Sequence, residues 1–249
     1  MSLPIIKFSY NLRADVLKFS GESMIVKSPQ GTLYKIFDYE TMPFLLQTSI
    51  DAIYNNKLEK LKALAAIPNL RFTTAPSALL YHAGQFCGYE MPYNPKDISL
   101  KEAGLDYEAT LTTLRKVRFI LNYLYRKDIT YADVNTGNIL VNADTNQVKL
   151  CDMDNVAIGE FGIDATLEET NWFLREYGKL DENVVAYMYN LLALEQIAYP
   201  NRSNYEILYS LGRESEIPGF NNEVGRVVEK MLHPKKFDGE DILQYVKKR

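Results

Sequence analysis

Short apolar runs separated by turn residues fill the first part of the chain, a pattern that predicts β-strands. Residues 24–26 are apolar, a turn with proline and glycine follows, and residues 32–37 alternate between apolar and polar side chains. This order predicts a β-hairpin. Residues 78–81 and 86–91 form two further apolar runs of strand length. We therefore expect an antiparallel sheet in the N-terminal part of the chain.

Apolar residues at helical spacing occur once within the strand-rich part of the chain and are the main pattern in the later part. One amphipathic stretch covers residues 51–66 and ends before Pro68. Two short strands are predicted at 139–141 and 148–151, inside a region that is otherwise helical. The longer predicted helices lie at 107–127, 181–197 and 223–232. The pattern predicts an α+β fold, with a strand-rich lobe carrying one helix at 1–92 and a mainly helical lobe at 93–249.

Composition and charge narrow the class of protein. Of the 249 residues, 47% are hydrophobic and 24% are charged, as in globular proteins with a sizeable core. The formal net charge of −4 gives no reason to expect nucleic acid as a partner. No stretch reaches the ~18 apolar residues of a membrane span. Cys87 and Cys151 lie in apolar runs without metal-site spacing, which favours reduced core thiols and a cytoplasmic location.

Three polar residues surround the two short strands of the second region. Asp133 and Asn138 lie in a loop between a long helix and the strand at 139–141, and Asp152 follows the next strand. If the strands form a hairpin, Asn138 and Asp152 meet at one end and offer oxygen ligands for Mg²⁺. Asp133 could then accept a proton from a hydroxyl group. The alternative is a turn rich in Asp, Asn and Gly that has no chemical role.

The segment from Tyr131 to Val141, followed by Asp152, resembles the catalytic loop and metal motif of the protein-kinase-like superfamily. The loop is usually written His-Arg-Asp-Leu-x-x-x-x-Asn, and the metal motif Asp-Phe-Gly. The resemblance covers about residues 15–247 in the family's order, and the chain looks like a compact atypical bacterial Ser/Thr protein kinase. It implies a bilobal kinase fold, ATP and Mg²⁺ as cofactors, Asp133 as the catalytic residue, and Asn138 and Asp152 as metal ligands.

Weaker matches extend the resemblance to the N-terminal region. Lys35 stands where the family has the lysine that holds the α- and β-phosphates, and Glu59 is its expected carboxylate partner. Tyr89 resembles the gatekeeper residue that precedes the hinge. Glu90 and Met91 resemble the hinge that binds adenine. These roles are implied by the resemblance alone.

The chain also departs from the family pattern. The glycine-rich loop is poor, since Gly21 is the only glycine in the segment Ser20–Ser23. Tyr131 replaces the histidine of the catalytic loop, and Asn135 replaces a lysine that would neutralise the γ-phosphate. Asp154 replaces the glycine of the metal motif, where we expect it to cap the following turn rather than approach the metal.

The leading hypothesis is an ATP- and Mg²⁺-dependent phosphotransferase, most simply an atypical protein Ser/Thr kinase. The acceptor is an unknown protein or small molecule, and a kinase of the aminoglycoside or choline kinase type is an alternative. A nucleotide-binding pseudokinase or scaffold is a second alternative, favoured by the poor glycine loop and by Asn135. Transfer of AMP on the same fold is a third.

Overall fold

The computed structural model describes residues 3–7, 16–20, 23–28, 30–37, 50–163, 168–198, 207 and 222–246. Over these residues the protein is α+β, as predicted. None of the helices in this part of the chain is long and apolar enough to cross a membrane. Gly21, assigned to the glycine-rich loop, lies outside the described residues.

The strands form three sheets. The largest has six strands in the order β1-β5-β6-β4-β3-β2, and all its pairs are antiparallel except β1 with β5. A second sheet has the order β10-β9-β7, and β11 pairs with β8. The strands are β1 (Ile5–Lys7), β2 (Val16–Ser20), β3 (Ser23–Lys27), β4 (Leu33–Phe37), β5 (Ala78–His82), β6 (Gln85–Met91), β7 (Asp97–Ser99), β8 (Ile129–Thr130), β9 (Ile139–Asn142), β10 (Val148–Leu150) and β11 (Ala157–Ile158).

Within the described ranges the chain forms five α-helices and three short 3-10 turns. The helices are α1 (Ile50–Ala66), α2 (Tyr107–Tyr125), α3 (Glu168–Tyr177), α4 (Glu182–Ile197) and α5 (Asn222–Met231). The 3-10 turns are Met153–Asn155, Pro234–Lys236 and Ile242–Gln244. Helix α2 begins where the Asp106 side chain accepts a hydrogen bond from the Ala109 amide at 2.8 Å, which satisfies one of the free amides of the first turn.

Helices α2 and α4 form the centre of the main core. The residues of α4 from Val184 to Leu194 are all buried, as expected of a helix that is apolar around its whole circumference. Helix α2 is amphipathic and packs its buried face on α4 and β10, with Leu111, Leu114, Val117, Ile120, Leu121 and Leu124 inside. This packing supports the loop and the hairpin that follow α2.

Two strand pairings place the polar residues of interest. Lys35 of β4 lies opposite Tyr89 of β6, and this register requires Gly88, since a Cβ atom there would lie 2.0 Å from the Lys35 carbonyl oxygen. The predicted hairpin of β9 and β10 is confirmed, with Ile139 opposite Leu150. The residues that flank this hairpin therefore lie side by side.

Candidate functional site

The loop between β8 and β9 holds Asp133 with two side-chain amides. Its carboxylate accepts hydrogen bonds from Asn135 Nδ2 at 2.9 Å and from Asn138 Nδ2 at 2.7 Å. Asn135 Oδ1 in turn accepts from the backbone amides of Gly137 at 2.9 Å and Asn138 at 3.2 Å. The loop therefore fixes the Asp133 carboxylate by interactions within a few residues of sequence.

Asn135 has a structural role that the resemblance of the loop to the kinase motif did not suggest. We interpreted it as the loss of a cation, but its side chain bridges Asp133 to the backbone of the loop. The signal was present in the sequence, because Asn two residues before Gly is a common way to close a turn through the side chain.

The surroundings of Asp133 suit a proton acceptor. Burial raises the pKa of the Asp133 carboxyl to about 6, and the negative charge of Asp152 adds to this rise. The hydrogen bonds from Asn135 and Asn138 act in the opposite direction. A carboxylate with a raised pKa is a better base than an ordinary aspartate, which is a common feature of active sites.

Asp152 and Asn138 lie next to each other at one end of the hairpin. The amide of Cys151 donates to the Asn138 carbonyl at 2.9 Å, and the Tyr131 hydroxyl donates to the Cys151 carbonyl at 2.6 Å. Asp152 has left-handed backbone angles (φ 62°, ψ 44°), which is uncommon for a residue with a side chain. Such conformations cluster at functional sites.

Two lysines and two aspartates meet at the hairpin end, and we call Lys35, Lys57, Asp152 and Asp154 the ionic cluster. Lys35 Nζ bonds to Asp152 Oδ1 and, at 2.7 Å, to Asp154 Oδ1. Lys57 Nζ bonds to Asp154 Oδ2 at 2.8 Å, and the Tyr89 hydroxyl donates to Asp154 Oδ1 at 2.9 Å. The four charges cancel, as a buried group of this kind requires.

The exposure of the two aspartates differs. The Asp154 side chain is 1% exposed, whereas that of Asp152 is 25% exposed. Burial by itself would raise the pKa of Asp154, but Lys35 and Lys57 outweigh burial and hold this pKa far below its usual range. Asp154 is therefore a permanent anion shielded from water, and Asp152 is the aspartate that a ligand can reach.

Glu59 does not pair with Lys35. Its side chain is 50% exposed and accepts a hydrogen bond from Lys62 at 2.6 Å. Helix α1 turns by about 100° per residue, so Glu59 points about 200° away from Lys57. The inward face of α1 carries Lys57, Lys60, Leu61 and Leu64 instead. The prediction of a Lys35–Glu59 pair was wrong, and the residue it missed is Lys57.

The prediction for Asp154 was also wrong. We expected a cap for the turn that follows, but both carboxylate oxygens bond to lysines inside the protein. The alternative, a further ligand near the metal, does not fit either, because the Asp154 side chain is 1% exposed and its oxygens face two buried lysines. Lys57 shares a helix face with Leu61 and Leu64, but a lysine on such a helix is normally solvated, so the sequence carried no specific signal for its burial.

The predicted gatekeeper and hinge residues lie in β6. Tyr89 is fully buried, and its hydroxyl stays protonated because burial and Asp154 raise its pKa well above the usual value. The backbone oxygen of Glu90 accepts from the Ser77 amide at 2.8 Å, and its carboxylate accepts from the hydroxyl groups of Thr32 and Ser77. Met91 is buried opposite Leu33. The adenine-binding role of Glu90 and Met91 stays a prediction.

The described part of the chain contains no group of three or more His, Cys, Asp or Glu side chains placed to hold a metal ion. Mg²⁺ needs fewer protein ligands, since it keeps water and binds phosphate oxygens. Asn138 directs its Nδ2 to Asp133, which leaves Oδ1 as its acceptor. The partly exposed Asp152 follows Cys151, whose amide bonds to the Asn138 carbonyl. The side-chain oxygens of Asn138 and Asp152 are of the kind that Mg²⁺ prefers as ligands.

No protein-family model matches the chain, and no curated protein matches it.

Proposed function

We propose that the protein is an ATP- and Mg²⁺-dependent phosphotransferase, most simply an atypical protein Ser/Thr kinase with a bilobal kinase-like fold divided near residue 92. The observation that carries this proposal is the meeting of Lys35, Asp133, Asn138 and Asp152 from two sheets and one loop. These are the four residues to which the motifs assign phosphate binding, proton transfer and metal binding. A turn without a chemical role would not require them to converge.

Each residue has a role that follows from its surroundings. Lys35 is a buried cation whose pKa would be lowered by burial but is raised by Asp152 and Asp154, so it stays charged and can bind phosphate oxygens. Asn138 and Asp152 would hold Mg²⁺, which neutralises charge on the phosphates when bound. Asp133, held by Asn135 and Asn138, orients the acceptor hydroxyl and accepts its proton.

The acceptor is best sought first among proteins with exposed Ser or Thr. Small-molecule kinases of the aminoglycoside or choline kinase type usually carry larger insertions in the helical lobe than the interval between Asp152 and the helix at 182–197 contains. The short interval between Asp152 and Asp181 is the opposing observation, because a shortened or rebuilt peptide platform favours a small-molecule acceptor.

A nucleotide-binding pseudokinase is the second candidate. It is favoured by the state of Lys35, which bonds to two aspartates and to no glutamate of helix α1. The two functions differ in product, because a pseudokinase binds nucleotide without releasing or transferring phosphate.

Incubation of the full chain with Mg²⁺ and ATP labelled at the γ- or α-phosphate tests the proposal. We expect γ-label on a protein acceptor, with a rate that falls at least ~100-fold in Asp133→Asn, because the base is lost. Asp144→Asn, at an exposed ion pair with Lys96, is the matched control and should keep the wild-type rate. Transfer of α-label would indicate AMP transfer, and neither transfer nor phosphate release would indicate a pseudokinase.

A further inference from the structure

Lys57 is a buried lysine that the proposed roles leave unexplained. Its side chain is 1% exposed, on the inward face of helix α1. Removing an ammonium group from water is costly unless a charge partner compensates. Lys57 meets this condition through Asp154, so its contribution to the site has to be sought in that buried pair.

We propose that Asp154 is the positioning residue for Lys35 and that Lys57 is the positioning residue for Asp154. This chain of three replaces the lysine–glutamate pair that the resemblance to kinases led us to expect. The inference rests on the proposed function of Lys35 in binding nucleotide phosphates. In this arrangement helix α1 contributes the cation Lys57, whereas we had expected it to contribute the carboxylate Glu59.

The two oxygens of Asp154 are divided between the two lysines. Oδ1 accepts from Lys35 at 2.7 Å and from the Tyr89 hydroxyl at 2.9 Å, and Oδ2 accepts from Lys57 at 2.8 Å. Asp154 therefore has fixed partners on both sides. Its orientation, and with it the position of Lys35 Nζ, depends on Lys57.

Asn155 closes the arrangement into a ring. Its Oδ1 accepts from Lys57 at 3.0 Å, and its Nδ2 donates to Asp152 Oδ2 at 3.1 Å. Since Asp152 also bonds to Lys35, the contacts run from Lys35 through Asp154, Lys57, Asn155 and Asp152 back to Lys35. The aromatic ring of Phe37 lies beside both cations, with its centroid 5.8 Å from Lys35 Nζ and 5.1 Å from Lys57 Nζ.

This closed set of polar contacts allows Asp152 to have two roles, one as a partner of Lys35 and one as the proposed metal ligand. The same carboxylate bonds to Lys35 and is the proposed metal ligand, so metal binding weakens its hold on Lys35. Asp154 is shielded from solvent, and it would keep its bond to Lys35 if Asp152 turned to a ligand. Lys57 balances the second charge, so that Asp154 does not repel the nucleotide.

Variants at Lys57 test the inference. Lys57→Met removes the charge and keeps most of the length, and Lys57→Arg keeps the charge. Lys62→Met, at the exposed partner of Glu59, is the matched control.

We measure kcat and KM for ATP in the transfer assay and the affinity for Mg·ADP by calorimetry. We expect Lys57→Met to lower kcat/KM and ADP affinity by about 10- to 100-fold, as for loss of one charge-assisted contact. Lys57→Arg should recover most of both, and Lys62→Met should change neither.

Lys57→Met leaves Asp154 Oδ2 without its cation and so destabilises the fold, and a double variant keeps the test decisive if the single variant unfolds. Lys57→Met with Asp154→Leu replaces a buried ion pair by apolar residues, a change that often preserves stability. We expect it to fold and yet to bind Mg·ADP at least ~10-fold more weakly, because Lys35 has lost its positioning residue. Wild-type affinity in this folded double variant would overturn the inference. Affinity is measured independently of transfer, so a wild type that binds nucleotide but transfers nothing refutes the proposed function and leaves this comparison valid.

Discussion

Asp152→Asn is expected to lower kcat for phosphoryl transfer by about two to three orders of magnitude, the usual effect of removing one charged group that stabilises a transition state. The substitution removes the negative charge of the partly exposed aspartate that we assign to Mg²⁺. Asparagine has nearly the same side-chain shape as aspartate, and it tolerates the left-handed backbone of this position. Lys35 keeps its bond to Asp154, so the fold should persist.

The rate is measured with γ-labelled ATP over a range of Mg²⁺ concentrations, with circular dichroism as the check on folding. Asp144→Asn again serves as the control, because the Asp144 side chain is exposed and forms a surface ion pair with Lys96. A variant at Asp152 that keeps more than a tenth of the wild-type kcat at the same Mg²⁺ concentration would contradict the assignment of Asp152 to the metal.

Asp154→Ala is expected to lower the free energy of unfolding by about 3–5 kcal/mol, the usual cost of breaking a buried ion pair from one side. The substitution leaves Lys57 buried without its carboxylate and removes one of the two partners of Lys35. It also leaves the buried hydroxyl of Tyr89 without its acceptor.

Urea unfolding of the wild type and of the variant measures this difference. Asp144→Ala is the control, since an exposed ion pair contributes at most about 1 kcal/mol. A loss below ~1 kcal/mol for Asp154→Ala would show that the ionic cluster does not contribute to stability in the way its contacts indicate.

The sequence predicted those parts of the fold that depend on local patterns. Helix α2 has an apolar face at regular spacing, and β9 and β10 are short apolar runs on either side of a turn, so both follow from periodicity. The place of Asp133 and Asn138 in one loop also follows, because the residues are close in sequence. Parallel pairing of β1 with β5 was not predicted, since it joins segments more than 70 residues apart and β1 has only three residues.

The ionic cluster could not be predicted from local sequence patterns, because its residues are far apart in the sequence. Lys57 and Asp154 are separated by 97 residues, and neither looks unusual in its own segment. A lysine on an amphipathic helix is normally placed in solvent, and its burial depends on a counter-charge that only the tertiary structure brings. Glu59 was chosen by its distance from Pro68, whereas the direction of a helical side chain depends on the 3.6-residue turn.

Calorimetric titration of the full chain with ATP, in Mg²⁺ and then in EDTA, tests most directly whether Lys35, Asn138 and Asp152 form a site for a metal–nucleotide complex. The account predicts binding that weakens at least ~10-fold when Mg²⁺ is removed, because Asn138 and Asp152 act on the nucleotide through the ion. In Asp152→Asn the difference between Mg²⁺ and EDTA should largely disappear. Absence of ATP binding to the wild type, or binding that is equal in Mg²⁺ and EDTA, would contradict it.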